Sequence, residues 1–179
     1  MAVNVPTGIA ALAAAEAPDD FESFFGTHYE RVARVIARVV GDPARAEELA
    51  AEIFLKLWRS PPAPPGLAES WLYKTAVRRG LDEVRKRTRR ARYESLIHFV
   101  TRARTPEEIH AGREEQERVR LVLASVQSRQ AEMLVLRSQG FSYGELASAL
   151  HLNPVSVGTQ LSRAQQAFRK EYIKRYGEQ

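Results

Sequence analysis

Hydrophobic residues recur at intervals of three and four along most of the chain, which is the spacing that places them on one face of an α-helix. The first such pattern predicts a helix of about 20 residues that Asp19 or Asp20 would cap. Its apolar face is formed by Phe21, Phe24, Phe25, His28, Val32, Val35, Ile36, Val39 and Val40. His28 is expected to pack as a polar tip near the helix surface, since no second His lies nearby in sequence. Gly41 is expected to end this helix.

Asp42-Pro43 begins a second predicted helix, because Pro is favoured at the first helical position. Its buried face is predicted to contain Ala46, Leu49, Ala50, Ile53, Phe54, Leu57 and Trp58. The opposite side carries Glu47, Glu48, Glu52 and Lys56. An acidic face is usually a solvated surface, and a docking surface is the more specific alternative. Spacing alone does not decide between the two.

The helical pattern is interrupted at residues 60–70, where several Pro and a Gly exclude helix. Ser70 is predicted to cap a third helix that runs from Trp71 to about Arg90. Its inward residues are expected to be Trp71, Leu72, Thr75, Ala76, Leu81 and Val84. Its basic side chains, left for solvent or phosphate, are Lys74, Arg78, Arg79, Arg85, Lys86 and Arg87.

Positive charge is concentrated at the end of this helix and just after it. Residues 78–104 contain ten Arg or Lys and three acidic residues, whereas the whole chain has a net charge of +5. Basic residues clustered in this way gain affinity for polyanions by releasing counterions, so nucleic acid is the first candidate partner. Residues 88–104 lack a sustained period and are predicted to form a linker.

Two further helices are predicted before residue 141. Thr105-Pro106-Glu107-Glu108 combines a capping box with Pro at the first helical position. The helix that it opens carries Ile109, Val119, Val122, Leu123 and Val126. Ser128 is predicted to cap the next helix, which Gly140 ends. The inward residues of that helix are Ala131, Leu134 and Val135.

Residues 141–168 predict two helices joined by a tight turn at His151-Leu152. Ser142 and Glu145 form a capping box for the first helix, and Asn153 caps the second, with Pro154 at its first position. The first helix buries Leu146, Ala147, Ala149 and Leu150, and the second buries Val157, Leu161, Ala164, Phe168 and Tyr172. This order is typical of a helix-turn-helix, although a plain helical hairpin has the same spacing.

The outward side chains of the last helix are suited to base edges and phosphates. They are Val155, Ser156, Thr159, Gln160 and Arg163. Gln160 is the candidate for a base contact, to adenine by the geometry of its amide, and Arg163 is the candidate for a phosphate or guanine contact.

Composition removes several classes of function. The chain has no Cys, which excludes disulfides, thiolate metal sites and Cys nucleophiles. No run of eighteen apolar residues exists, so no membrane span is predicted, and the Ala-rich residues 9–15 are expected to be a frayed tail. A nucleophile elbow, a Gly-rich phosphate loop and a His-Glu metal spacing are all missing, so neither an enzyme nor a metal or cofactor site is expected.

Taken in order, these elements resemble bacterial extracytoplasmic-function sigma factors of the sigma-70 superfamily. Residues 41–58, which include Ala46-Glu47-Glu48-Leu49, are similar to the family's polymerase-clamp-binding helix. Trp71-Leu72-Tyr73-Lys74-Thr75-Ala76, with Leu81-Asp82 and the Arg run, is similar to the helix that reads the −10 element. Ser128-Arg129-Gln130, residues 141–147 and Leu161-Ser162-Arg163-Ala164 resemble the domain that reads the −35 element.

The resemblance implies an all-α protein with two small helical domains. Residues 1–19 would be a disordered tail, 20–90 sigma domain 2, 91–105 a flexible basic linker, and 106–179 sigma domain 4 with its helix-turn-helix. The implied partners are core RNA polymerase, promoter DNA and an anti-sigma protein, and the implied location is the cytoplasm. No cofactor is implied.

The resemblance also gives roles to particular residues. Glu48, Glu52 and Lys56 would contact polymerase. Lys74, Arg78, Arg79, Arg85 and Lys86 would contact DNA. The loop at residues 60–69 would help to hold a base flipped out of the −10 strand, at a cost of a few kcal/mol of stacking.

Some positions depart from the family pattern. Val77-Arg78 stands where the family often has Arg-Asn, and Gly158 and Gln160 stand where it often has Lys and Arg. Gly158 costs about 1 kcal/mol of helix stability relative to Ala. Two other functions therefore stay open: a sigma-mimicking module that binds an anti-sigma protein, and a dimeric helix-turn-helix repressor. The basic helix counts against the first, and the second would need neither the acidic helix nor the Pro-rich loop.

Overall fold

The computed structural model describes residues 21–62, 67–97 and 111–177, and within these ranges all regular structure is helical. The α-helices are α1 (Phe21–Val40), α2 (Pro43–Arg59), α3 (Ala68–Ile97), α4 (Ala111–Ser125), α5 (Ser128–Ser138), α6 (Tyr143–Leu150) and α7 (Val157–Tyr176). The predicted all-α class is confirmed. None of these helices combines the length and the apolar character needed to cross a membrane.

The first three helices pack together around a core of large apolar side chains. Its fully buried members include Ile36, Ile53, Phe54, Leu57, Leu72 and Leu81. The predicted boundary between α1 and α2 is confirmed. Gly41 adopts a φ of +75°, which favours Gly, and the Asp42 carboxylate accepts a hydrogen bond of 3.1 Å from the Arg45 backbone amide.

The prediction that Trp58 is buried is wrong, since the residue is 58% exposed. Leu57 points directly into the core, and successive residues of an α-helix are rotated by about 100°. Trp58 is therefore turned away from the core at the last turn of α2. Its ring lies against the edge of the core, with its centroid 6.5 Å from that of Phe21.

The third helix is longer than the sequence pattern predicts. It begins at Ala68, so Ser70 lies inside it, and the Ser70 hydroxyl donates to the Leu67 carbonyl at 3.1 Å instead of capping the helix. It also continues for seven residues beyond Arg90, because residues 91–97 contain no Gly or Pro that would end it. The start of the predicted linker is thus helical, and the rest of the linker lies outside the described residues.

The second half of the chain contains the predicted pair of helices. The capping box of α6 is confirmed, because the Ser142 amide donates to the Glu145 carboxylate at 2.6 Å and the Glu145 amide donates to the Ser142 hydroxyl at 3.3 Å. His151 takes the left-handed conformation, with a φ of 50°, at the turn. Asn153 accepts from the Val155 amide at 3.0 Å, as predicted for a cap, and a single 3-10 turn at Pro154–Ser156 leads into α7.

The core of this half confirms most of the predicted inward residues. Buried are Val122, Val126, Ala131, Val135, Leu146, Ala147, Ala149, Leu150, Val157, Leu161 and Ala164, while Leu134, Phe168 and Tyr172 are half-buried. The prediction that Ser128 caps α5 is wrong. The Gln127 carbonyl already accepts the first helical hydrogen bond, from the Ala131 amide, so Gln127 is the cap. The predicted helix starts at Asp19-Asp20 and Thr105, and Ile109, lie outside the described residues.

Candidate polymerase and nucleic-acid interface

The acidic side of α2 is exposed, as predicted, and is linked to α3 by ion pairs. Glu48 pairs with Arg45 at 2.6 Å, and Arg45 also reaches Glu83 of α3 at 3.1 Å. The Arg45 guanidinium donates hydrogen bonds to both carboxylates, and these bonds raise its pKa. Glu52 pairs with Arg79 of α3 at 3.0 Å. The carboxylates are accessible, but each already has a basic partner.

Two apolar side chains on this side of α2 are exposed: Leu55, which the sequence pattern did not single out, and Trp58, which it predicted to be buried. Leu55 is 43% exposed, and Trp58 lies three residues further along the helix. Leu55 lies off the apolar stripe defined by Ile53, Phe54 and Leu57. This position outside the stripe could have predicted from the sequence that Leu55 is exposed. An exposed Leu and Trp beside paired charges form an apolar centre with a polar rim, which is the anatomy of a protein interface.

A cavity of about 560 Å³ lies where α2 and α3 meet the start of the helix-turn-helix turn. Three predicted site residues line it on its α3 side: Lys74, Arg78 and Arg79. On its α2 side lie Glu52 and Lys56, and the Lys56 ammonium is 5.8 Å from the centroid of the Trp71 ring. The cavity thus combines an aromatic face with several cations, a set that can hold a base and its phosphate.

The basic side chains of α3 are not all exposed on one surface, because some of them contact the second half of the chain. Lys74 is half-buried and Lys86 is exposed. The Arg78 side chain is 63% exposed, and its Nε lies 4.0 Å from the Glu132 carboxylate of α5. Arg85 is only 17% exposed, since its guanidinium donates to the carbonyls of Ala124 and Val126 at 3.1 and 3.4 Å. Two of the five predicted cations therefore contact the second half of the chain.

Glu132 is the one buried charged residue among the described side chains, and burial and nearby positive charges act on its carboxyl in opposite directions. Burial raises the pKa of its carboxyl from the ordinary 4.5, whereas the nearby positive charges of Arg78 and Lys74 act in the opposite direction. Its side chain is 8% exposed. Sequence periodicity gives no signal for a buried acid at this position.

The predicted outward residues lie on α7 and on the 3-10 turn before it, and all of them except Val155 line one groove with α5. Val155 is 91% exposed, and Thr159 and Arg163 are also exposed. Gln160 is half-buried, and its amide nitrogen donates to the Ser156 hydroxyl at 2.8 Å. A shallow groove of about 400 Å³ is lined by Ser156, Thr159, Gln160 and Arg163, together with Arg129 and Gln130 of α5.

Packing does not require Gly at position 158. A Cβ added there would lie 3.6 Å from the Tyr143 ring, which is an ordinary van der Waals contact. Gly158 weakens the helix, and no close packing contact in the described fold requires Gly at this position.

The comparisons with known proteins agree on one family. Residues 24–90 match the model of sigma-70 region 2, and residues 116–167 match the model of sigma-70 region 4. The chain is 28% identical over 158 residues to the ECF RNA polymerase sigma factor SigK of Mycolicibacterium vanbaalenii, covering 84% of this chain and 80% of that protein. It is 28% identical over 180 aligned residues to the ECF RNA polymerase sigma factor SigE of Mycolicibacterium smegmatis, covering 96% of this chain and 69% of that protein.

A third relative, the ECF RNA polymerase sigma factor SigK of Mycobacterium ulcerans, is 28% identical over 159 residues, covering 84% of both chains. The region 2 match contains α2 and the basic part of α3, and the region 4 match contains the helix-turn-helix. Both regions lie in the order that the sequence resemblance implied. The chain belongs to the sigma-70 family, in its extracytoplasmic-function group.

Proposed function

We propose that this chain is an RNA polymerase sigma factor that binds core polymerase and directs promoter recognition and the initiation of transcription. The observation that carries the proposal is the presence of both sigma-70 regions on one chain. The first region has exposed charged and apolar side chains on α2 and basic side chains on α3, and the second has exposed polar side chains on α7. A cytoplasmic location and the lack of a catalytic activity belong to the same proposal. An anti-sigma partner, implied by the family resemblance, stays a prediction.

Polymerase binding is assigned to the outer side of α2. Glu48, Glu52 and Lys56 supply the charged rim, and Leu55 and Trp58 supply the apolar centre. Exposed ion pairs contribute little to the stability of the fold, so the carboxylates can exchange their Arg partners for basic groups of polymerase at small cost. Trp is also the residue type most enriched among interface residues that dominate binding energy.

Recognition of the −10 element is assigned to α3 and the adjoining cavity. Lys74, Arg78, Arg79, Arg85 and Lys86 are the phosphate contacts, and the Trp71 ring is a stacking surface for a base in the cavity. Stacking on an aromatic ring contributes about 1–3 kcal/mol per base, which offsets the few kcal/mol that extruding a base costs.

Recognition of the −35 element is assigned to α7. Gln160 and Arg163 can reach base edges or phosphates. Val155 and Ser156 lie in the 3-10 turn and Thr159 in the first turn of α7, the end that would enter the major groove. The internal hydrogen bond from Gln160 to Ser156 uses one of the two amide hydrogens. The amide oxygen and the second hydrogen are the pair that a bidentate adenine contact requires.

The test is transcription by purified core polymerase with and without this chain on a library of promoter fragments. We expect transcripts from a discrete promoter set that depend on the chain. Reversing the charge of both Glu48 and Glu52 should weaken polymerase binding and leave the unfolding temperature nearly unchanged, because both side chains are exposed. Equal losses of binding and of stability would mean that the two acids are structural.

The same experiment separates the alternative functions. A repressor would bind DNA as a dimer without polymerase, and a sigma-mimicking module would bind an anti-sigma protein without supporting transcription. Either result would overturn the proposal.

A further inference from the structure

The turn that leads into α7 presents an apolar side chain to solvent. Val155 is 91% exposed, more than any other large apolar side chain in the part of the chain that the structure describes. It lies in the 3-10 turn before α7, whereas Val157, Leu161 and Ala164 of that helix are buried. Val155 therefore contributes little to folding, because its surface stays in contact with water.

The turn that carries Val155 is held in one conformation. The Val155 amide donates to the Asn153 side chain at 3.0 Å, and the Ser156 hydroxyl and amide donate to the Asn153 carbonyl at 2.8 and 2.9 Å. Pro154 restricts the backbone further, and a β-branched side chain such as Val155 has few rotamers. A partner that contacts Val155 therefore costs little conformational entropy.

Gly158 leaves a gap beside Val155 that the fold does not need. Its φ is not positive, and a Cβ there would meet the Tyr143 ring at 3.6 Å, an ordinary contact. Side chains three residues apart on a helix have Cβ atoms about 5–6 Å apart. Because position 158 has no side chain, a methyl-sized group can pack against Val155 from that side. The Tyr143 side chain, 49% exposed, borders the gap.

The major groove of DNA offers one apolar group of this size. Among the four bases, only thymine carries a methyl group there, at C5, and apolar side chains recognise it by direct contact. Val155 lies at the end of the helix-turn-helix's second helix that would enter the groove, one turn before Thr159. Thymine is therefore the ligand that fits both the exposed side chain and the gap.

We propose that Val155 and Gly158 form a notch that reads the methyl group of a thymine in the −35 element. Val155 makes the contact, and Gly158 leaves the space for the methyl group. The inference rests on the proposed function, because it requires the second helix of the helix-turn-helix to enter the major groove. It adds a specificity that hydrogen bonds do not supply, since the methyl group is all that distinguishes thymine from uracil.

Replacing thymidine by deoxyuridine removes this methyl group and keeps the base pairing. The probes are fragments of a promoter that depends on the chain in the transcription test, with deoxyuridine at each thymidine of the −35 element in turn, on either strand. The measurements are the Kd of holoenzyme made with each chain and the unfolding temperature of that chain. The variants are Val155→Ala and Gly158→Ala. The control is Gln165→Ala, an exposed residue about 15 Å further along α7.

We expect one position at which deoxyuridine raises the Kd of the unmodified holoenzyme about fourfold, the equivalent of about 0.8 kcal/mol for one buried methyl group. Val155→Ala should lose a similar factor or more on the thymidine fragment. It should be insensitive to deoxyuridine at that position, because both changes remove the same contact. Gln165→Ala should respond to deoxyuridine as the unmodified chain does.

Gly158→Ala should change stability and DNA binding in opposite directions. Its unfolding temperature should rise by about 2–4 °C, because Ala favours a helix more than Gly does. Its Kd for the thymidine fragment should also rise, because the added Cβ occupies the space of the methyl group. Deoxyuridine at the same position should then lower this Kd, the reverse of its effect on the unmodified chain.

The outcomes distinguish this inference from the proposed function. If no deoxyuridine position weakens binding by the unmodified holoenzyme, the notch is refuted and the proposed function stands. A loss for Val155→Ala that is equal on thymidine and deoxyuridine fragments would also overturn it, and would assign Val155 to a protein or phosphate contact. Unchanged binding of thymidine fragments by Gly158→Ala, or a further loss on deoxyuridine, would refute the role of the gap. Failure of the unmodified holoenzyme to bind any promoter would refute the proposed function and the notch together.

Discussion

Replacing Trp58 by Ala should weaken polymerase binding and cost less stability than replacing an aromatic residue in the core of α2. The side chain is 58% exposed, so about two-fifths of a Trp surface of roughly 250 Å² is already buried, on the order of 100 Å². At roughly 25 cal/mol per Å² this burial contributes at most about 2.5 kcal/mol to folding. By comparison, Phe54→Ala in the core should cost about 3–5 kcal/mol.

The exposed part of Trp58 is available for polymerase. Truncating a Trp at the centre of an interface typically costs about 2 kcal/mol or more, which corresponds to roughly a 30-fold rise in Kd. The assay is a titration of labelled chain with core polymerase, together with thermal unfolding of the chain alone. The control is Tyr93→Ala, since Tyr93 is an exposed aromatic residue on a different helix.

We expect the Kd for polymerase to rise for Trp58→Ala and to stay the same for Tyr93→Ala. A Trp58→Ala chain that binds polymerase with unchanged Kd would show that the exposed end of α2 is not the contact. Equal weakening by both substitutions would show that removing an exposed aromatic residue, wherever it lies, is enough to explain the effect.

The remaining predictions concern the basic, the recognition and the buried acidic side chains. Neutralising Arg78, Arg79, Arg85 and Lys86 together should weaken promoter binding by the holoenzyme and flatten its salt dependence, by about 0.9 in log–log slope for each phosphate that these cations no longer neutralise. An unchanged slope, equal to that of the Arg34→Gln control on α1, would show that these cations do not face DNA. Gln160→Ala should relax sequence preference at one or two positions of a randomised −35 element, since one bidentate contact discriminates by about 1–3 kcal/mol, while polymerase binding persists. If neither Gln160→Ala nor Arg163→Ala changes the preference profile, α7 is not the reader. Glu132→Gln should raise the unfolding temperature at pH 7, because burial raises the pKa of the carboxyl and so disfavours its ionised form in the folded chain. The gain should disappear below about pH 4, where the carboxyl is protonated in both folded and unfolded chains, so a gain that is the same at pH 4 and pH 7 would contradict this assignment.

Features that depend on neighbours in sequence were predicted well. The caps at Asp42, Ser142 and Asn153 each use a side chain and an amide no more than three residues apart, so the sequence contains both partners. The errors at Ser70 and Ser128 have the same origin. A Ser near a helix start can cap it or lie within its first turn, and local pattern does not distinguish the two.

Features that depend on distant partners could not be predicted. Tyr73 and Val77 look like the outer side of α3 when only the first three helices are considered, and they are buried because the second half packs there. The carbonyl partners of Arg85 lie about 40 residues further along the chain. The candidate DNA contacts were predicted by residue type and by the family resemblance, whereas their present partners come from tertiary packing.

The unbroken length of α3 has a consequence for promoter geometry. At 1.5 Å per residue, its 30 residues make a rod of about 45 Å, and Trp71 and Tyr93 are held about 33 Å apart along it. That distance is close to one full turn of B-form DNA, about 34 Å. Under the proposed function, a continuous helix of this length would set how far along the duplex the chain extends from the −10 site, because the Arg-rich stretch belongs to the same helix as Trp71.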